Sequence, residues 1–289
     1  MKKIRLLLAG KKGLITLKRL VNNADFLSQI HCVVIAKDKD VIEDYYYDIE
    51  SVCNAYDINL KDESESDYTI AIGWRKLLKG TKNLIVLHDS LLPKYRGFAP
   101  LVTALLNKDP MVGVTAFFAC NEFDAGYVID QYMIEIDYPI TISDAIDKVG
   151  KLYADITEKI FKKILNEEKI ESRSQVGKSS YSVWRDKDDY QVDWTMDSEY
   201  ICRFVDAVGY PYLGAYTSTE DKNLRIIKCK KIKDRNIVNR KSHIGKVFNI
   251  EEGNPIIICG KGLVKILNMT FDGMVINILP WIKLRTKFK

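Results

Sequence analysis

The chain is poor in the residues from which metal and redox sites are built. Its 289 residues include six cysteines, none of them in a C-x-x-C pair, and three histidines that form no Cys/His cluster of zinc spacing. The common zinc motifs are therefore excluded, and we expect no bound metal. Scattered, unpaired cysteines are typical of reduced core thiols in a cytoplasmic protein.

Two further signals are missing. The first strand-to-helix turn reads Gly10-Lys11-Lys12-Gly13, which is not the G-x-G-x-x-G fingerprint of a dinucleotide site. No apolar run approaches the roughly 20 residues that cross a bilayer, and the two lysines interrupt the amino-terminal apolar run too early for a signal peptide. We therefore expect neither this kind of cofactor site nor a membrane partner.

The first half of the chain alternates strand and helix signals. Apolar or β-branched runs of strand length lie at Ile4–Ala9, His31–Ala36, Tyr68–Gly73 and Leu84–His88, and helical stretches such as Gly13–Val21 separate some of them. Continuous apolar runs suit strands that are buried on both faces. The pattern predicts an α/β fold with a Rossmann-like, mostly parallel sheet flanked by helices.

The later part of the chain changes character. A strand at Val112–Ala119 and a long helix capped by Ser143 are predicted to complete a first domain over residues 1–170. A polar linker and a connecting helix are predicted over 171–220. Short strand-length runs with turn residues between them predict a small β-rich, OB-like barrel domain over 221–289.

Charge is concentrated at the end of the chain. Residues Asp221 to Lys289 contain 16 Lys and Arg against 5 Asp and Glu, whereas the whole chain carries a net charge of +5. A basic segment of this kind is typical of a surface that binds phosphates or nucleic acid. Lysine-rich strands also occur at sheet edges, where the charge prevents pairing with another chain. The composition leaves both interpretations open.

One of the predicted strands ends on a histidine, and a loop follows it. The apolar run Leu84–His88 ends on His88, and the loop that follows contains two prolines and a glycine. Ligands of parallel sheets bind beyond the carboxyl ends of the strands, where loops carry the chemistry. His88 is therefore a candidate functional residue, the alternative being a histidine that only caps its strand.

The string HDSLLPKYRG, followed by GVT at Gly113–Thr115 and EFDAGYVIDQ at Glu122–Gln131, resembles the folate-dependent formyltransferases. That family includes methionyl-tRNA, glycinamide ribonucleotide and nucleotide-sugar N-formyltransferases. The resemblance covers most of residues 70–165, and a weaker one continues through VDW at Val192–Trp194 and YPYLGAY at Tyr210–Tyr216. It implies the formyltransferase fold, N-formyltransferase activity and 10-formyltetrahydrofolate as co-substrate.

By this resemblance, His88 and Asp124 are the catalytic pair. In the family's reaction an amine attacks the formyl carbon, an oxygen gains negative charge, and a proton must leave the ammonium. Histidine titrates near neutral pH and suits either a hydrogen bond to that oxygen or a proton transfer, while a neighbouring carboxylate holds the ring. The alternative for Asp124 is a residue that only forms a turn.

One family residue is missing. The family has an asparagine two positions before the histidine, where this chain has Val86, and alternation along a strand places that position on the side of His88. Removing one oxyanion donor costs about 2.7 to 4 kcal/mol. Either Ser90, Thr115, Asn121, a backbone amide or a water replaces the donor, or the protein is a catalytically impaired homologue that binds folate or a sugar nucleotide.

The resemblance also implies a position for the folate, beside the end of the strand Tyr68–Gly73 and near the aspartate. Trp74 is expected to stack on the pterin ring, unless it only packs at the strand end. The predicted contacts are Ile72, Gly73, Trp74, Arg75 and Leu77 on one side and Cys120 and Phe123 on the other.

Two amine acceptors compete. Methionyl-tRNA formyltransferases also have a basic carboxyl-terminal barrel, so the basic tail permits a tRNA partner. They carry, however, a basic, glycine-rich loop after the second strand, whereas Lys37 to Glu50 here is acidic on balance and rich in tyrosine. This stretch would repel phosphates, and a nucleic-acid partner is therefore not expected.

Nucleotide-sugar N-formyltransferases resemble the chain better, in the WRDKDDYQVDW segment and the PYxGA turn. They formylate the amine of a UDP- or dTDP-linked 4-amino dideoxy sugar for lipopolysaccharide and other surface glycans. Unless they are only solvated charges, basic side chains would bind the diphosphate. The candidate substrate contacts are Lys94, Arg96, Lys11 and Lys12, with Trp184, Arg185 and Tyr212. The sugar, the nucleotide and a homodimer all remain open.

Overall fold

The computed structural model describes residues 2–60, 65–76, 81–219, 222–276 and 282–289. The strands in these ranges are β1 (Ile4–Leu8), β2 (Ile30–Ile35), β3 (Tyr68–Ile72), β4 (Leu84–His88), β5 (Arg96–Gly97), β6 (Met111–Phe118), β7 (Val128–Glu135), β8 (Tyr181–Ser182), β9 (Ala215–Ser218), β10 (Asn223–Ile232), β11 (Val247–Glu251), β12 (Asn254–Ile258), β13 (Leu263–Phe271) and β14 (Met274–Val275). The helices are α1 (Gly10–Val21), α2 (Ala24–Gln29), α3 (Tyr46–Ala55), α4 (Pro100–Leu106), α5 (Ile142–Leu165) and α6 (Ser198–Ala207).

The chain divides into two compact units. The first comprises Met1–Ala104, Asp109–Asp137 and Ser143–Trp184, and the second comprises Leu105–Lys108, Tyr138–Ile142 and Arg185–Lys289. The main division at Trp184 differs from the predicted boundaries at 170 and 220. Residues 171–184 of the predicted linker belong to the first unit, whereas α6 packs on β10 and β13 in the second.

A six-stranded sheet in the order β2-β1-β3-β4-β6-β7 forms the centre of the first unit. Strands β2, β1, β3 and β4 are parallel, β6 pairs antiparallel with β4, and β7 pairs antiparallel with β6. Interior residues such as Leu6, Ile70 and Ile85 are fully buried, as expected for strands covered on both faces. The predicted mostly parallel α/β sheet is confirmed.

The longest helix, α5, presents one apolar face to the core of the first unit. Residues spaced by three or four positions along it are almost completely buried: Ile146, Val149, Tyr153, Ile156, Ile160 and Ile164. The helix begins at Ile142, so Ser143 lies inside its first turn and is not the cap that the sequence predicted. No helix in the described ranges combines the length and the apolar character needed to cross a bilayer.

An antiparallel sheet in the order β11-β12-β13-β10-β9, with β14 on β13, forms the second unit. The carboxyl-terminal residues bridge its two outer strands. The Val247 amide of β11 donates to the Thr286 carbonyl at 3.0 Å, and the Lys289 amide donates to the Ser218 carbonyl of β9 at 2.8 Å. The tail therefore supplies the closure that a barrel-like domain requires.

The cysteines are all free thiols, as expected, but only three lie in the core. Cys32, Cys53 and Cys259 are buried, whereas Cys120 is exposed. Cys202 and Cys229 are half-buried, with their sulfur atoms 3.7 Å apart. The prediction of core thiols is therefore wrong for the exposed Cys120, which lies on the loop between β6 and β7.

We expect Phe288→Ala to destabilise the second unit by about 3 to 5 kcal/mol, because it empties a core position in the closing tail. The Phe288 ring is 2% exposed and lies 5.7 Å from the Trp194 ring. Urea denaturation measures the free energy of unfolding. The neighbouring Lys287→Ala changes an exposed side chain and serves as the control, and equal losses in the two variants would contradict a structural role for the tail.

Candidate active site

His88 is the last residue of β4 and lies opposite Thr115 of β6. Its side chain is 8% exposed. The ring nitrogen Nε2 lies 2.8 Å from the Tyr95 carbonyl oxygen, which can only accept, so Nε2 carries the proton of this hydrogen bond. The other nitrogen, Nδ1, faces Asp124.

Asp124 lies on the loop between β6 and β7. Its Oδ2 accepts a hydrogen bond of 2.7 Å from the Gly97 amide, and the same oxygen lies 3.6 Å from Nδ1 of His88. That separation exceeds a hydrogen bond but suits an ion pair with a protonated ring. The fold thus brings together the two residues that the sequence singled out, although their catalytic role stays a prediction.

Two glycines allow the histidine and aspartate loops to meet closely. Gly97 has a φ of +97°, and a Cβ there would lie 2.5 Å from the Ser182 carbonyl oxygen. A Cβ on Gly126 would lie 1.7 Å from the Phe118 carbonyl oxygen. Any larger residue at either position would displace backbone. This close packing explains why the YRG and DAG motifs have glycine at these positions.

The segment predicted as a linker holds the aspartate loop. Gln175 Nε2 donates to the Asp124 carbonyl at 2.7 Å and to the Gly126 carbonyl at 3.0 Å, while its Oε1 accepts from Arg96 at 2.8 Å. Arg173 pairs with Val128 through both backbone amides. The interpretation of these residues as a linker is therefore wrong, because their polar side chains satisfy the backbone of the site loops.

The same segment holds the histidine loop. Ser180 Oγ accepts from the Tyr95 amide at 3.0 Å, and β8 pairs in parallel with β5. Sequence reasoning missed Gln175, Ser180 and Ser182 because a polar stretch without periodicity is typical of a linker. The weak signal that was present is the run of small and amide side chains, which are suited to capping loop backbone.

Val86 occupies an apolar environment. It is opposite Ala71 of β3 and packs in a cluster with Leu7, Leu84 and Trp74. The side chain that replaces the family's asparagine therefore fills a hydrophobic position beside the site. An amide there would lie partly among apolar groups and would need a hydrogen-bond partner.

The three candidate replacement donors differ in their surroundings. Thr115 Oγ1 donates to the Ser90 carbonyl at 2.6 Å and accepts from the Leu92 amide and from Gln131, so its only proton is engaged. Asn121 is exposed on its loop. Ser90 is 4% exposed, and its Oγ has no hydrogen-bond partner among the described residues, which makes it the donor with unused capacity.

The residues predicted to contact folate lie at the end of β3 and on the loop after β6. Ile72 is buried and Gly73 has a φ of +65°, where a Cβ would lie 2.4 Å from the Ala9 carbonyl oxygen. Trp74 Nε1 is buried with no hydrogen-bond partner in the described part of the chain. An orphaned donor beside a strand end suits a heterocyclic ligand, so the residues present fit a pterin.

The remaining predicted folate contacts are more exposed. Arg75 forms an ion pair with Asp38 at 2.5 Å, and Cys120 and Phe123 are exposed on the aspartate loop. Leu77 lies outside the described residues. Folate binding by these residues stays a prediction.

Three aromatic side chains, which we call the aromatic cluster, lie next to the His88 and Asp124 pair. The Phe98 ring meets the Trp184 ring edge-on at 4.9 Å and lies 6.0 Å from the Phe123 ring. Trp184 is 46% exposed and Phe123 is 53% exposed, and the Arg75 guanidinium lies 5.9 Å from the Trp184 ring. An accessible aromatic surface of this kind suits stacking with a planar ring, and the Arg75 guanidinium beside it suits negatively charged groups attached to that ring.

The basic side chains predicted to bind phosphates already have carboxylate partners. Lys94 pairs with Asp109, Arg96 with Glu122, Lys11 with Asp147 and Lys12 with Asp89. Arg96 is also only 12% exposed, so its visible role is to brace the aspartate loop. Arg185 and Tyr212 belong to the second unit, and their contact with a substrate stays a prediction.

Asp89, the residue after His88, forms an ion pair with Lys12 that is mostly shielded from solvent. The Asp89 carboxylate accepts from the Lys12 ammonium of α1 and, at 2.5 Å, from the Tyr153 hydroxyl of α5. Burial by itself raises the pKa of Asp89, but the Lys12 charge and the two hydrogen bonds outweigh it and hold that pKa below its ordinary value. Asp89 is therefore a carboxylate that stays ionised beside the candidate catalytic histidine.

Comparison with known proteins places both units in one family. A family model described as formyl transferase matches residues 30–173, and one described as formyl transferase, C-terminal domain, matches residues 185–283. A methionyl-tRNA formyltransferase from Halothermothrix orenii is 30% identical over 222 residues, which cover 74% of this chain and 70% of that protein. The second match begins at the division found between the two units.

Solved structures share the fold. An N-formyltransferase from Helicobacter canadensis in complex with folinic acid and dTDP-3-aminofucose matches with a TM-score of 0.66 and 18% identity, over 92% of this chain and 99% of that one. WlaRD, a sugar 3N-formyltransferase studied in the presence of dTDP and 5-N-formyl-THF, matches with a TM-score of 0.65 and 21% identity, over 92% and 97% of the two chains.

We expect Gln175→Ala to lower the free energy of unfolding by about 1 to 3 kcal/mol, because it removes the donor to the Asp124 and Gly126 carbonyls and an acceptor of Arg96. Urea denaturation provides the measurement. The adjacent Val176 is 86% exposed, and Val176→Ala should change stability by less than about 0.5 kcal/mol. If both variants unfold at the same urea concentration, Gln175 does not brace the site.

Proposed function

Because this chain belongs to the formyl transferase family and is a folate-dependent one-carbon transferase, we propose that it transfers a formyl group from 10-formyltetrahydrofolate to the amino group of a nucleotide-linked amino sugar. The observation that carries the proposal is the meeting of His88 and Asp124 at the carboxyl end of a parallel strand. The product would enter the synthesis of surface glycans.

His88 and Asp124 would take part in removing the proton from the attacking amine. The Nε2 proton of His88 is held by the Tyr95 carbonyl, so the exchangeable position is Nδ1, which faces Asp124. Asp124 keeps its orientation through the Gly97 amide and stabilises the ring when it gains a proton. We propose that the amine forms a bond to the formyl carbon while Nδ1 receives the proton that the amine loses, with Asp124 stabilising the resulting imidazolium. The bond between the formyl carbon and the folate nitrogen then breaks, and the imidazolium returns the proton to that nitrogen as tetrahydrofolate leaves.

The folate would bind beside the end of β3. Gly73 provides close backbone approach, and Trp74 provides both an aromatic face and an unused N–H. The bound folate supplies the one-carbon group. The solved structures with folinic acid or 5-N-formyl-THF have a similar fold, and this supports folate as the co-substrate.

The aromatic cluster supports an acceptor that contains a nucleotide, because the nucleotide would give the protein a group to bind. Phe98, Phe123 and Trp184 offer stacking surface for a base next to the His88 and Asp124 pair, with Arg75 at its edge. The two similar solved structures contain dTDP or a dTDP-linked amino sugar, which supports the same class of acceptor here.

A methionyl-tRNA acceptor is the second candidate. The relative from Halothermothrix orenii has that name, and the last 69 residues of this chain are strongly basic. The stretch Lys37 to Glu50 opposes this candidate, because its acidic residues would repel the phosphates of an acceptor arm. We therefore favour the amino sugar.

The orphaned hydroxyl of Ser90 supports retained activity despite Val86. It is the buried candidate donor whose proton is not engaged by the described residues, and it lies two positions after His88. We propose that Ser90, directly or through a water, supplies the hydrogen bond that the family's asparagine would otherwise make.

We expect the purified protein to release tetrahydrofolate from 10-formyltetrahydrofolate in the presence of dTDP- or UDP-linked amino sugars, and His88→Ala or Asp124→Asn to lower kcat by about 10² to 10⁴-fold. His243→Ala, which changes a histidine of the second unit, is the control and should keep full activity. Turnover with methionyl-tRNA alone would support the second candidate, and no turnover with any amine would indicate an impaired homologue.

A second experiment tests the replacement donor. Ser90→Ala should lower kcat by about 100-fold, and adding Val86→Asn to that variant should restore part of the loss, because either donor can serve the same oxygen. Val86→Asn in the otherwise unchanged protein should alter kcat by less than about fivefold, since the donor is already present. A much larger gain from Val86→Asn alone would show that nothing replaces the amide.

A further inference from the structure

We propose that Asp89 is a positioning residue for His88: clamped by Lys12 and Tyr153, its carboxylate fixes the end of β4 and biases the charge of the neighbouring imidazole. The catalytic consequence rests on the proposed function, because it assumes that His88 takes part in formyl transfer. The electrostatic consequence does not, and it can be measured without a substrate.

The clamp acts on both chain neighbours of His88. The Tyr153 hydroxyl lies 2.5 Å from Asp89 Oδ1 and 3.1 Å from the Leu87 carbonyl oxygen, so one buried group of α5 contacts the residues on either side of the histidine. Lys12 reaches the other carboxylate oxygen from α1. The Lys12 and Asp89 side chains are 14% and 13% exposed, which protects the arrangement from solvent.

The charged groups around the imidazole come from several elements of the first unit. Asp124 faces Nδ1 from the loop after β6, and Asp89, Lys12 and Tyr153 form the cluster at the end of β4. The residue opposite His88 on β6 is Thr115, and the last residue of β3, Ile72, lies opposite Leu87; neither side chain ionises. Asp89 should therefore favour the imidazolium and Lys12 should oppose it.

Stability alone is a poor explanation for this pair. Two charges taken out of water lose hydration, and replacing a buried ion pair by apolar groups of similar volume is often neutral or stabilising. Asp89 directly follows His88 in the chain, and its carboxylate attracts the imidazolium form of the ring. A purely structural pair would lower stability when broken but would leave the titration of His88 unchanged.

The test compares two opposite substitutions by NMR. The chain has three histidines, so the imidazole signals of His88 can be followed through a pH titration and assigned with a His88→Gln variant. Asp89→Asn should lower the titration midpoint and Lys12→Met should raise it, each by about 0.5 pH unit or more. The double variant should lie between them, and it also leaves neither partner as an unpaired buried charge.

Controls separate this effect from general damage. Lys159→Met removes another lysine–aspartate pair, the one with Asp130 at 2.6 Å, and should not move the His88 midpoint. Each variant must show a cooperative unfolding transition. Midpoints that move in the same direction in both single variants, or that stay within about 0.1 unit of the parent, would overturn the proposal.

Kinetics then test the catalytic part. Asp89→Asn should lower kcat about tenfold with KM changed less than twofold, because it misplaces a reacting group without removing a substrate contact. A rise in KM at constant kcat would contradict the positioning role. If the parent protein transfers no formyl group to any amine, the proposed function fails, while the opposite midpoint shifts still decide whether Asp89 and Lys12 bias His88.

Discussion

The candidate site depends on one hydrogen bond, from the Gly97 amide to Asp124 Oδ2. Gly97 follows the loop that begins at His88, and Asp124 belongs to the loop after β6, so this bond joins the two motifs that contain the candidate catalytic residues. It fixes the carboxylate oxygen that faces the imidazole at 3.6 Å. A glycine is required because its positive φ and the 2.5 Å approach to the Ser182 carbonyl leave no room for a Cβ. Without this bond, the carboxylate would be free to turn toward water.

Polar residues far along the chain hold that arrangement in place. Gln175 binds the carbonyls of the aspartate loop, Ser180 binds the amide of Tyr95, and β8 pairs with β5. Loops at the end of a sheet have backbone groups that no neighbouring strand can satisfy, and each unsatisfied group costs free energy when buried. The segment between α5 and the second unit therefore serves as part of the site, and its lack of apolar residues follows from that role.

The surroundings of His88 combine two kinds of constraint. On its ring side, the Tyr95 carbonyl and Asp124 engage both nitrogens, and on its backbone side the Lys12, Asp89 and Tyr153 cluster ties the strand end to two helices. Val86 adds apolar packing at the position where the resemblance to the formyltransferases implies an asparagine. With Val86 in this position, the proposed chemistry needs a different hydrogen-bond donor, and the Ser90 hydroxyl, which has no partner among the described residues, meets that requirement.

The sequence by itself determined the mostly parallel sheet and the apolar face of α5, because periodicity is a local property of the chain. The pairing of His88 with Asp124 was implied by the resemblance to the formyltransferases. It also indicated the barrel-like second unit, although not its extent. Only the tertiary structure decided that residues 171–184 belong to the site, that Thr115 has no free proton, and that Asp89 is buried against Lys12 and Tyr153. These facts depend on contacts between residues more than 60 positions apart, as for Asp89 with Tyr153, or on competition for a single proton, as for Thr115. A linear pattern contains neither kind of information, since burial and hydrogen-bond partners exist only after the chain has folded.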